Sequence, residues 1–316
     1  MTSGPGGQPS LRDLTGYGEH PPPVSWPNGA KVAVSVVVHF QEGAESSIGS
    51  GDAVDEDITV FGGWGSDPSR RNLMKESYTE YGSRVGIWRV LSLLRRHGIT
   101  ATVMACGKAL EESPEVAAAI VRDGHEVGAH GYRWAGTVGM DRAEELEEIR
   151  RCTASIERTT GVRPVGWYVR DGITENTRSL LKSEGYLYDS NSFADDLPYF
   201  VPVESGSHLV VPYASDTNDM RFWDGGTLAT GNEFFEVCRD SLEFLLDEDD
   251  EVGRMMSVGI HSRIGGRPSI ARGIQQFLQY AGERDGVWFA SREQIARWWI
   301  NAANHSGSSN KETRRL

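Results

Sequence analysis

The segment Val32–Glu45 constrains the chain more than any other. It reads Val-Ala-Val-Ser-Val-Val-Val-His-Phe-Gln-Glu-Gly-Ala-Glu, a β-branched run that stops abruptly in polar residues. A short run that is apolar on every residue is the pattern of a parallel strand covered on both faces. Side chains alternate along a strand, so His39 and Gln41 share one side of it and reach the same place beyond its carboxyl end. The same residues also fit a strand that simply runs into a solvated loop. Downstream, the chain alternates helical and strand patterns. Ser83–His97 has an amphipathic helical pattern stopped by Gly98, and 99–106 reads as a second strand. Helices are expected over 114–123, 141–160, 174–184, 232–246, 268–282 and 292–301. Strands are expected at 125–130, 163–168, 185–189, 208–213, 255–261 and 287–290.

Seven or eight alternations of strand and helix in about 300 residues predict an α/β (β/α) barrel, closed or distorted, rather than a flat doubly wound sheet. No repeat or shift in composition divides it. The expected organisation is an N-terminal arm over 1–30, one barrel domain over 31–303 and a flexible polar tail over 304–316. Within the barrel, the glycine-rich stretch 46–80 is too long and too weakly periodic for an ordinary connection, and is expected to cover the active site.

The charge balance narrows the partners. With 45 acidic residues against 32 basic ones the chain carries a formal charge of −13, which disfavours nucleic acid and anionic membranes. A small-molecule substrate is expected instead. No apolar run approaches the ~20 residues of a membrane span, and the opening Met1–Leu14 lacks an apolar signal core, so a soluble cytoplasmic protein is expected. Cys106, Cys152 and Cys238 have no metal-type spacing and read as reduced core thiols. There is no Gly-x-Gly-x-x-Gly turn, no phosphate-binding loop and no Gly-x-Ser-x-Gly elbow, which argues against nucleotide binding and a serine nucleophile.

In barrels of this kind chemistry sits at the carboxyl ends of the strands. His39, Gln41, Glu42, His130, Tyr168, Asp189, Tyr213 and His261 all fall there. His130 and His261 each end an apolar run, in His130-Gly-Tyr-Arg and His261-Ser-Arg. Histidine in such a place can bind a metal, move a proton or polarise a carbonyl; either one alone could equally be a hydrogen-bonded core residue. Trp134, Trp167 and Tyr168 could wall a pocket for a flat ring, with Arg170, Arg263 and Arg133 available for its carbonyl or carboxylate oxygens. Packing beneath the loops is the other reading of these aromatic residues, Trp167 above all.

These segments resemble the polysaccharide deacetylase superfamily. The resemblance rests on His39-Phe-Gln-Glu-Gly43, Gly124-His-Glu-Val-Gly-Ala-His130, Gly161-x-x-Pro-x-Gly-Trp167 and Ile260-His261, in that order. The chain is more similar to the metal-independent allantoinase branch, through Glu80-Tyr-Gly-Ser-Arg84, His130-Gly-Tyr-Arg-Trp134, Asp195-Asp-Leu-Pro-Tyr199 and Asp216-Thr-Asn-Asp-Met-Arg-Phe222. That resemblance implies a distorted (β/α)7 barrel, hydrolysis of a C–N or C–O bond, and a homo-oligomer.

Departures from the family pattern fall on the reacting residues. Most members place two adjacent aspartates on the first strand, a base and a metal ligand, where this chain has Gln41 and Glu42. Trp134 stands where a second histidine ligand is usual, and Tyr168 replaces the arginine that orients the base. The allantoinase branch shares Trp134 and Tyr168 but has asparagine and glutamate where this chain has His39 and Gln41. A glutamine cannot accept a proton, so His39 either takes over as base or ligand, or only hydrogen-bonds in the barrel.

The leading expectation is therefore an amidohydrolase that opens a cyclic ureide, imide or lactam. His39, Gln41, Glu42, His130 and His261 are its catalytic candidates; Trp134, Trp167, Tyr168, Arg170 and Arg263 would bind substrate. No metal or other cofactor is expected. An alternative is a zinc-dependent or other metal-dependent deacetylase of an N-acetylated sugar or small amide, with His39, Glu42 and His130 as ligands. A third reading is a repurposed barrel that rearranges or only binds a ligand in secondary metabolism.

Overall fold

A computed structural model describes residues 12–56, 67–223, 226–248 and 252–312. Nine strands form one curled sheet: β1 (Val32–Phe40), β2 (Thr102–Ala105), β3 (Glu126–Ala129), β4 (Gly166–Trp167), β5 (Tyr188–Asp189), β6 (Tyr199–Val203), β7 (Gly206–Val210), β8 (Arg254–His261) and β9 (Val287–Phe289). Across the sheet the order is β8, β1, β2, β3, β4, β5, β7, β6, and β9 pairs with the first residues of β1. Every pairing is parallel except the β6–β7 hairpin. Between β7 and β8 an irregular segment takes the place of a strand: the Gly259 amide donates to the Thr217 carbonyl at 3.0 Å, and Asn218 bridges Gly259 in parallel sense. The result is the distorted (β/α) barrel that the alternation predicts.

The strand β1 shows how sequence positions the site. All nine of its residues are buried. Val32, Val34, Val36, Val38 and Phe40 face the helices in the outer core, while Ala33 and Val37 belong to the cluster inside the barrel. Ser35 and His39 lie on that inner side by the period of two, so small residues fill the barrel and the histidine ring closes its carboxyl end. Each fully buried valine on the outer side stabilises the layer by about 1.5–3 kcal/mol. The inner floor is polar, and its charged groups are bound. Arg292, itself buried, donates to Ser190 Oγ at 2.7 Å, Ser257 Oγ at 2.9 Å and the Val211 carbonyl at 2.5 Å. Beside it Glu126 accepts from Thr102 and Tyr188.

Helix ends follow local chemistry. Asp141 and Glu144 form a capping box for the helix Arg142–Thr160, and Gly161 ends it at φ 73°, a left-handed position that suits glycine. Thr230 and Glu233 do the same for Gly231–Asp247. Three elements are not legible in the sequence. Asn72 caps a helix Leu73–Tyr81 within the stretch that reads as irregular, a short helix Gly107–Glu112 follows β2, and β6 adds an antiparallel edge. The last helix, expected to end at Asn301, runs Arg292–Glu312 and so enters the stretch expected to be a flexible tail. The proposed cover over 46–80 is described at 46–56 and 67–80; its middle lies outside the described residues. All three cysteines are free and buried. Among the described residues no helix is long and apolar enough to cross a membrane.

Candidate active site

His39 and His261 are paired in register across β1 and β8, on the same side of the sheet. Their rings consequently stack, with centroids 4.5 Å apart and planes 12° from parallel. His130, one residue beyond β3, lies 5.2 Å from His39, and the Tyr168 ring stacks on His130 at 5.3 Å and 6°. Tyr213 completes the cluster, 5.2 Å from Tyr168. Residues from five places in the chain thus meet at or just beyond the carboxyl ends of β1, β3, β4, β7 and β8.

Each imidazole is held by a defined partner. Tyr213 Oη is 2.9 Å from His39 Nε2 and also accepts from Asn218 Nδ2 at 3.0 Å. His130 Nδ1 donates to the Tyr168 carbonyl at 2.7 Å, so its Nε2 carries the lone pair and accepts from Gln41 Nε2 at 2.9 Å. Gln41 Oε1 in turn accepts from Arg263 Nη1 at 2.7 Å. That chain orients the amide without ambiguity: the arginine can only donate and the backbone carbonyl can only accept. Burial pushes all three imidazoles below their ordinary range, His130 to about 4, and the positive charge of Arg263 pushes each the same way. At neutral pH the cluster is uncharged.

His261 differs from the other two. Its Nδ1 lies 2.7 Å from Asp219 Oδ1, and its own backbone N–H donates to Asp219 Oδ2 at 2.8 Å. Burial pushes the Asp219 carboxyl well above the usual carboxylate range, although the His261 backbone N–H, the charge of Arg263 and the Gly265 backbone N–H all pull it down. The backbone N–H groups of His261 and Gly265 and the Arg263 charge act in favour of the carboxylate; with Asp219 ionised the proton sits on Nδ1 and Nε2 is the basic nitrogen. The sequence alone leaves Asp219 open between a loop cap, a subunit contact and a ligand-binding group. Nothing in the spacing of residues 219 and 261 joins them; the segment lying against β8 does.

Glu42 points elsewhere. Ser262 Oγ donates to its Oε1 at 2.6 Å and the Gln41 amide to its Oε2 at 3.0 Å, with Arg263 Nη1 at 3.6 Å. Gly82 lies so close that a side chain there would strike the carboxylate, which a π-type turn over Gly82–Gly86 accommodates. Trp134 and Arg263 do join the site, with the guanidinium 4.7 Å over the Trp134 ring and 5.0 Å over Trp223, a residue that no sequence motif singles out. Arg170 also lies over Trp134, at 4.1 Å, but its donors are engaged by Glu56 and Asp171. Arg133 is bound to Asp52 at 2.6 Å.

Two expected positions are corrected. Trp167 does not line the site: β4 is in the sheet there, its indole faces the outer core, and it packs edge-on against Tyr186 at 5.6 Å. Asp189 does end β5, but its side chain does not join the histidine cluster; it holds Arg178 at 2.9 Å and lies 3.5 Å from His208. The open surface grooves flank the helix Arg142–Thr160, among Glu147, Arg150 and Arg151, away from the histidines.

The polysaccharide deacetylase family model matches residues 80–188. Over 91% of its length the chain is 36% identical to a putative polysaccharide deacetylase of Schizosaccharomyces pombe, of which it covers 96%. The chain belongs to the polysaccharide deacetylase family. A probable polysaccharide deacetylase from Pseudomonas aeruginosa superposes with a TM-score of 0.87 at 41% identity, covering 92% of this chain and 98% of that one. The crystal structure of an allantoinase gives the same figures.

Membership in this family implies a divalent metal, and the donors present do not fit one. Among the described residues no three His, Cys, Asp or Glu side chains are grouped to hold an ion. The lone pair of His130 Nε2 is taken by Gln41, Glu42 is bound by Ser262 and Gln41, and Trp134 offers no donor in place of a second histidine. A catalytic zinc takes three protein ligands. The family's hydrolase class, acting on C–N bonds other than peptide bonds, stands independently of that.

Proposed function

We propose that the protein is an amidohydrolase that opens a cyclic ureide, imide or lactam, with the Asp219–His261 pair as its general base. The single observation that carries this reading is the bond from His261 Nδ1 to Asp219 at 2.7 Å, which leaves Nε2 free to take a proton at the end of β8. The likeness to an allantoinase, at 41% identity over 92% of the chain, supports a cyclic amide over a sugar N-acetyl group.

In this reading His261 Nε2 removes a proton from water as the water attacks the ring carbonyl, and Asp219 stabilises the imidazolium that forms. The same nitrogen then returns the proton to the departing ring nitrogen, completing C–N cleavage. His39 is not the base. It is neutral, buried and bound to Tyr213, and its ring supports His261 from beneath. Gln41 cannot take the proton either; it holds His130 and Arg263 in fixed orientation. Tyr168 and Trp134 supply flat faces for a planar ring.

Purified protein would be offered allantoin, hydantoins, cyclic imides and lactams, with His261→Ala as the control. Ring opening by the wild type and its loss in the variant support the reading; no turnover of any ring refutes it. The cytoplasmic location and the homo-oligomer belong to the same reading, and size-exclusion chromatography with light scattering tests the second.

A further inference from the structure

Arg263 is fully buried, yet among the described residues only one of its nitrogens is hydrogen-bonded. Nη1 donates to Gln41, whereas among the described residues Nε and Nη2 have no hydrogen-bond acceptor, and neither does the Trp223 indole N–H beside them. The guanidinium is held by the ring faces of Trp134 and Trp223, which fix its plane without using its donors. An arginine offers Nε and Nη2 along one edge as a parallel pair matched to a carboxylate or another planar pair of oxygens. Leaving such donors without an acceptor in a buried place is costly, so the protein has built half of an interaction.

The charge around this edge also lacks its usual counterpart. The first-strand residue bonded to Arg263 is Gln41, a neutral amide. Had it been an acid, as in most of the family, it would have neutralised the arginine. Glu42, the nearest carboxylate, stands 3.6 Å from Nη1, on the side already bound to Gln41, and its oxygens are engaged by Ser262 and the Gln41 amide. Of the other neighbours, His39, His130 and His261 carry no negative charge, and the Asp219 carboxylate, which feels the Arg263 charge, is committed to the ring and backbone N–H of His261. Gln41 therefore turns the arginine outward from its own strand and leaves its positive charge for a partner.

We propose that the Nε–Nη2 edge of Arg263, with the Trp223 indole N–H, is a subsite for an anionic oxygen pair on the substrate, and that Gln41 is the specificity determinant that keeps it available. The ligand class is a small planar ring bearing a carboxylate, or a cyclic imide bound as its anion. This rests on the cyclic-amide reading for the ring but not on its hydrolysis.

The experiment compares two near-isosteric probes, hydantoin-5-acetate and hydantoin-5-acetamide, by calorimetry on the full chain, with KM replacing Kd for any probe that is turned over. The wild type is expected to bind the acetate at least about tenfold more tightly than the acetamide, a preference that falls as ionic strength rises. Gln41→Glu, which places a carboxylate on Arg263, should erase that preference. Arg263→Lys, which keeps the charge but loses the planar edge, should retain part of it. Equal affinity for the two probes in the wild type, binding of neither, or a preference unchanged in Gln41→Glu would each overturn the proposal. Should either variant fail to fold, the wild-type ratio alone decides. Acetate binding without ring opening of any substrate would keep the subsite and reject the hydrolase reading.

Discussion

His39 and His261 are register partners on adjacent parallel strands, and their imidazoles stack face to face at 4.5 Å. Two stacked histidines at matching positions are a costly arrangement if both are charged, because the two cations would repel each other. The protein avoids that by burying both and giving them different partners, Tyr213 for one and Asp219 for the other. Only the one held by a carboxylate is arranged to accept a proton during a reaction.

Replacing Asp219 with asparagine should leave the fold intact while allowing the wrong tautomer of His261. A fall in kcat of about two to four orders of magnitude is expected, with KM within a few fold. Steady-state kinetics on the best ring substrate checks it; an unchanged kcat would remove Asp219 from the mechanism.

The hydrogen bond between Tyr213 and His39 makes a stability prediction. In Tyr213→Phe, His39 Nε2 loses its partner within a buried cluster, and destabilisation of about 1–3 kcal/mol is expected from equilibrium urea unfolding. A loss below about 0.5 kcal/mol, on the order of surface substitutions, would show that the bond contributes little.

Acid should destabilise the protein in a definite window. His130 is held at about 4 by burial, against an ordinary value of 6.5, so the unfolded chain takes up a proton before the folded one does. Its contribution is complete above pH 6.5 and declines as pH falls from there toward 4, by up to about 3 kcal/mol. His39 and His261 are shifted the same way and add to the same side. Urea midpoints measured across that range should fall in wild type, and more shallowly in His130→Asn; parallel curves would count against a buried neutral His130.

Gly86 tests the packing beneath the site. A side chain there would drive into the Ser262 carbonyl, in the turn that carries Arg263. Gly86→Ala should cost about 1–3 kcal/mol and disturb the site, although alanine is the better helix former. A more stable Gly86→Ala protein would show that the turn can shift freely.

Much of the barrel is legible in the sequence because it depends on local pattern. The valine run of β1 and the helices expected over 141–160 and 232–246 depend on neighbours within a few residues, and they appear where the sequence puts them, as Val32–Phe40, Arg142–Thr160 and Gly231–Asp247. The candidates His39, Gln41, His130 and His261 are also visible, since strand ends in a barrel converge. The features that stay hidden depend on distance in the chain. Asp219 reaches His261 only because residues 217–218 lie against β8, and Trp223 reaches Arg263 through the same segment. Trp167 resembles a pocket wall because it adjoins Tyr168, but neighbours on a strand face opposite sides, and only Tyr168 faces His39.

The most direct test is ring opening by chelator-treated protein of verified metal content. The wild type should retain full activity toward its best cyclic amide with less than about one-tenth equivalent of bound divalent metal, because no three ligands are grouped to hold an ion among the described residues. His261→Ala should lose that activity by at least about a hundredfold. Activity that vanishes with chelation and returns in proportion to added zinc would contradict a site that runs on Asp219 and His261 alone.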